Sequence, residues 1–186
     1  MNKKAAIQLI AIVLLAGTLH AQCSSKDSIE KDLNRIKVLT DSQARAQSRE
    51  NLVKLIEYRK ILKKCFSTND STYTLLLRQI GWTYFYMSDY FNAAEHFKQS
   101  IDIITANANS PAIRLKVLIG SYYWLSTFYD SLNNVAEKIN AADKCIRIAD
   151  TLKAFSNLAF IRSLYTKVEY YYDIGDYYSC IDNARS

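Results

Sequence analysis

Two short runs of this chain occur twice. Asn92-Ala93-Ala94-Glu95-His96-Phe97 returns as Asn140-Ala141-Ala142-Asp143-Lys144-Cys145, and Ser88-Asp89-Tyr90-Phe91 returns as Gly175-Asp176-Tyr177-Tyr178. A chain that repeats itself in this way is built from copies of one supersecondary unit, because a single copy cannot bury its own apolar face. Composition narrows what the unit can be. With 4 glycines and 1 proline in 186 residues, there are few sites for the φ-positive turns that many short strands need. Apolar residues instead recur at helical spacing. Leu77, Ile80, Gly81 and Tyr84 share one face, Met87-Ser88-Asp89 makes a turn, and Ala93, Phe97, Ser100 and Ile101 share the next face. The prediction is an all-α chain of helix–turn–helix hairpins, and 49% hydrophobic residues supply its core.

Within the hairpin, Gly81 and Ala93 let the helices approach closely, while Tyr84, Tyr90 and Phe97 fill the wedge beside the contact. This pattern closely resembles the tetratricopeptide repeat. With Thr74 as the first position, the family's small residue falls at Gly81, its tyrosines at Tyr84 and Tyr90, its turn aspartate at Asp89, its alanine at Ala93 and its second-helix aromatic at Phe97. Leu77, Ser100 and Thr105 depart from the usual Trp, Ala and Pro. The resemblance implies antiparallel hairpins stacked into a right-handed superhelix.

Four units are expected after the leader. Residues 22–70 form a divergent N-terminal hairpin, 71–110 the first clear repeat, 111–155 a second and 156–186 a third that stops short of the family length. In the second unit Gly120 is aligned with Gly81, Ala141 with Ala93 and Cys145 with Phe97. Gly81 to Gly120 spans 39 residues but Ala93 to Ala141 spans 48, which puts nine extra residues inside that hairpin, around Phe128 to Lys138. The third unit carries Lys167 at an apolar position and ends on Cys180, Ile181 and Ala184 with nothing to cover them. That predicts either continuation of the chain or self-association through the last repeat.

Residues 1–21 read as a secretory signal: Lys3-Lys4, an apolar run from Ala5 to Leu19, and a small-residue exit at Ala21. The run is shorter than a membrane span needs. A periplasmic or secreted location follows. Gln22 stands where a lipobox has Gly or Ala, which argues against acylation at Cys23; a membrane enters only through that acylation or through a longer membrane protein. Removing the leader takes two lysines and no acid from a net charge of +6, and the remaining charges alternate in sign, so no nucleic-acid surface is indicated. Four cysteines without a CxxC and two histidines leave no zinc set. Cys65, Cys145 and Cys180 are expected as buried free thiols.

No catalytic constellation, phosphate-binding loop or cofactor motif is present, and a non-enzyme is predicted. His96 falls at a repeat position that usually faces solvent. The tetratricopeptide resemblance implies a concave groove lined by the first helices: Leu75, Arg78, Trp82 and Phe85, then Arg114, Val117, Ser121 and Trp124, then Arg162, Tyr165, Glu169 and Tyr172. The competing expectation is that neighbouring helices cover this face. The family's Lys/Asn carboxylate clamp is absent, since Arg78 and Trp82 stand at its positions in the first repeat. The function expected is an exported scaffold that binds a protein or peptide in an aromatic and arginine-bearing groove, with Trp82 an exposed anchor. The alternatives are the extracytoplasmic sensory part of a longer signalling protein, or an accessory to a catalytic domain beyond residue 186.

Overall fold

The computed structural model describes residues 26–39, 41–67, 71–106 and 111–185, without the side chains of 111–114 and 184–185. The leader and Cys23 lie outside the described residues. Among the described residues the chain is all-helical and contains no strand. In order the helices are α1 (Lys26–Lys37), α2 (Asp41–Ala46), α3 (Ser48–Cys65), α4 (Ser71–Tyr86), α5 (Tyr90–Ala106), α6 (Pro111–Ser131), α7 (Val135–Thr151), α8 (Leu158–Asp173) and α9 (Tyr177–Arg185). From α3 onward each helix packs on the next, α8 also touches α6, and α1 and α2 lie across α3 and α4.

Three of the connections have the same geometry. The turns 87–89, 132–134 and 174–176 each place a residue at positive φ: Ser88 at 61°, Asn133 at 54° and Gly175 at 77°. In each, the amide of the next residue donates back across the helix end: Asp89 to Tyr84 O, Asn134 to Tyr129 O and Asp176 to Tyr171 O, all 2.9 Å. These bonds satisfy carbonyls left open at a helix C-terminus. The same three residues then cap the following helix. Asn92 N donates to Asp89 Oδ1 at 3.1 Å, Glu137 N to Asn134 Oδ1 at 3.3 Å, and Ser179 N to Asp176 Oδ1 at 3.1 Å.

The hairpin interiors match as well. Added to Gly81, a Cβ would stand 2.5 Å from Phe97 Cδ2 and 3.1 Å from Ala93 O, so this is a contact only glycine permits. Further from the turn, Ser100 Oγ donates to Thr74 O at 3.3 Å. Contacts that recede from the turn on both helices define an antiparallel pair. In the next hairpin Ser126 Oγ donates to Lys138 O at 3.0 Å and Cys145 Sγ to Ile119 O at 3.4 Å. Measured from the caps Asp89 and Asn134, Ser126 is the counterpart of Gly81, Lys138 of Ala93, Ile119 of Thr74 and Cys145 of Ser100.

That register corrects the second unit. Its turn is as short as the first, and the residues expected in an enlarged loop are the ends of α6 and α7. Gly120 is not a close-approach site, because nothing lies within 4 Å of a Cβ placed there. Ala142, not Cys145, stands where Phe97 stands, and a smaller side chain there matches the larger Ser126 opposite. The N-terminal region is corrected too: α1, α2 and α3 replace the expected two-helix hairpin.

The core forms three clusters along the stack. Ile29, Leu33, Leu55, Leu62, Leu76, Leu77 and Ile80 join α1, α3 and α4; Ala93, Phe97, Leu125, Phe128 and Ala141 join α5, α6 and α7; Ile119, Cys145, Ala149 and Phe160 join α6, α7 and α8. Asp32 of α1 fastens this end by accepting from both Lys54 and Tyr58 of α3. His96 is buried, contrary to expectation. Its ring stacks on Tyr84 with centroids 5.6 Å apart, and Nδ1 has no partner.

Candidate functional site

The expected groove is divided by the structure into two clefts with a ring cluster between them. The first cleft is a cavity of about 340 Å³ where α1 and α2 cross α4, bounded by Ile36, Leu39, Asp41, Arg78, Trp82 and Tyr86 among others. Arg78 Nε is buried without a hydrogen-bond partner, and among the described residues its guanidinium forms no ion pair. Burial pushes its pKa below the usual arginine value. Across the cavity Tyr86 Oη donates to Asp41 Oδ1 at 2.9 Å, and burial with that bond raises the Tyr86 phenol to about 12.

The ring cluster occupies the middle. Trp82 meets Trp124 edge-on at 4.3 Å and Phe97 at 5.9 Å; Phe85 meets Trp124 at 5.8 Å and Phe128 at 5.6 Å. Trp82, Phe85 and Trp124 are half-buried, so the two tryptophans join α4 to α6 and neither is the free anchor expected. Ser121 is fully buried and its hydroxyl donates to Val117 O at 2.9 Å, leaving nothing to present to a groove. Leu75 packs into the first core cluster. The side chain of Arg114 lies outside the described residues.

The second cleft, about 230 Å³, runs between α6 and α8 and is lined by Tyr123, Thr127, Asp130, Arg162, Tyr165 and Glu169 with their neighbours. Arg162 Nη1 donates to Tyr123 Oη at 3.0 Å and lies over that ring, while Lys138 pairs with Asp130 at 2.7 Å. Tyr165 and Tyr172 are exposed, 65% and 63%. Arg162, Tyr165 and Glu169, three of the residues expected in the groove, line this cleft together. Tyr123, Thr127 and Asp130 were missed. Relative to the caps they are the counterparts of Arg78, Trp82 and Phe85, and the signal that finds them is the spacing from a tyrosine to the capping residue: Tyr84 to Asp89, Tyr129 to Asn134, Tyr171 to Asp176.

Of the cysteines, Cys145 is a buried free thiol, Cys180 is free but only half-buried, and Cys65 is disulfide-bonded, which overturns the expectation of three buried thiols. Among the described residues no cluster of His, Cys, Asp or Glu could hold a metal ion, and no helix is long and apolar enough to cross a membrane. No protein-family model matches the chain, and no curated protein matches its sequence.

Proposed function

We propose that this chain is an exported, non-enzymatic scaffold of tetratricopeptide type, its hairpins wound as a right-handed superhelix, and that it binds an extended peptide or protein segment along α6 and α8. The observation that carries the reading is the equivalence of positions across the cleft. Tyr123 and Thr127 on α6 correspond to Tyr165 and Glu169 on α8 relative to the caps, so the two helices offer matching faces to one ligand crossing them. Side chains there are aromatic, hydroxylic and charged. That mixture suits a peptide backbone and its side chains.

Panning a random peptide library against the full chain tests this. Selected peptides should bind at least about tenfold more weakly to Tyr165→Ala, as expected for removal of a central aromatic anchor, while the variant keeps its helical circular dichroism. Peptides that bind Tyr165→Ala and Thr127→Ala as well as the parent chain would place the binding face elsewhere.

A further inference from the structure

We infer that the cavity beneath α1 and α2 is a binding site for a small organic carboxylate, held by its anionic end at Arg78 with its apolar body against Ile36, Leu39, Ala44 and Trp82. The inference stands apart from the peptide face, which lies on other helices. Its first support is the unpaired guanidinium. Burying a charge without a partner is costly, and native chains pair such groups or place them where a ligand will. Arg78 sits in the wall of the cavity with its Nε buried and unbonded, and no described residue neutralises it.

Other groups on the wall do not substitute for a ligand. Asp41, the acid of the lining, is engaged by Tyr86 Oη, and Thr83 Oγ1 donates within its own helix to Gln79 O at 2.8 Å. Lys37 stands at the exposed rim and supplies a cation to the approach, whereas Arg35 in the adjoining depression is paired with Asp32 at 3.7 Å. Size and shape select further. A volume of about 340 Å³ is that of a small-molecule site. Planar carboxylates match a guanidinium fork in two parallel bonds. A phosphate dianion would bring a second charge into a pocket with one half-buried cation and a carboxylate on its wall, and it would leave the apolar wall unfilled.

The test is a thermal-shift and calorimetric titration of the full chain with phenylacetate and with 4-methylpentanoate, against phenylacetamide and inorganic phosphate as controls. A saturable rise in Tm with at least one of the two carboxylates, and with neither control, is expected. Binding should weaken at least about tenfold in Arg78→Gln, the effect of losing a charge-assisted pair, and stay unchanged in Arg147→Gln, an exposed arginine of α7. Leu39→Trp, which enlarges a side chain of the cavity wall and keeps Arg78, should also abolish it and serves if Arg78→Gln does not fold. Equal responses to phenylacetamide or phosphate, retention of binding in both cavity variants, or no response to either carboxylate would overturn the assignment.

Discussion

A methyl group added at Gly81 would meet the wholly buried Phe97 ring, which packs against the rings of Trp82 and Phe128. Alanine is the better helix former by about 1 kcal/mol, yet overpacking costs roughly 1 to 3 kcal/mol, so Gly81→Ala should lower stability overall. Gly120→Ala meets nothing and should raise it by roughly 0.5 to 1 kcal/mol. Urea midpoints of the two variants should move in opposite directions. His96 makes a second residue-scale prediction. Burial first, and the nearby Arg59 charge second, hold its pKa down to about 4, against 6.5 for the free side chain. Between those values the unfolded chain binds a proton that the folded chain refuses. The stability contributed by neutral His96 is therefore complete above about pH 6.5 and is lost as pH falls toward 4, by up to roughly 3 kcal/mol. His96→Phe, which keeps a ring against Tyr84, should flatten the difference in urea midpoint between pH 7 and pH 5. A slope unchanged by the substitution would assign the acid sensitivity to other groups.

At the scale of helices and turns, the caps set the register of the stack. Asp89→Ala and Asn134→Ala each remove an oxygen that accepts from the first turn of a helix and should cost about 1 kcal/mol. A cost near zero at Asn134 would detach the second hairpin from this scheme. Lys153, at φ 49° after α7, holds a left-handed conformation without glycine's freedom. Lys153→Gly should therefore raise Tm, by less than about 1 kcal/mol in stability. Most helices were legible because period 3.6 is written into their apolar segments; α6, apolar on all sides, and the short α2 carry little of that signal. The second hairpin's register was not. Ala93-Ala94 and Ala141-Ala142 look like equivalent anchors, but Ala141-Ala142 sits three positions further from its cap than Ala93-Ala94 does, and the packed volume is shared differently between the two helices. Turn chemistry was the safer guide, since a cap must be an oxygen acceptor at one place whereas a core volume can be supplied from either side. Arg78 lies on α4, the first helix of its hairpin. The sequence offered no sign that α1 and α2 would roof it, because the contact joins segments far apart in the chain.

Across the whole molecule the two ends differ. One is closed by α1 and α2, whereas the last hairpin exposes Tyr172, Ile174, Tyr177, Tyr178 at 85% and Ile181. Apolar side chains gathered in this way favour association. Sedimentation should show concentration-dependent dimers or larger species, and the double substitution Tyr178→Lys, Ile181→Lys should shift the population toward monomer. A parent chain that stays monomeric across a wide concentration range would count against that surface. The central claim is that α6 and α8 share one peptide-binding face whose register is set by the caps. Photo-crosslinking tests it most directly, with a benzophenone side chain placed at Thr127 in one variant and at exposed Arg147 of α7 in another, each mixed with a panned peptide. The account predicts efficient crosslinking from Thr127 and none from Arg147; crosslinking from Arg147 with none from Thr127 would contradict it.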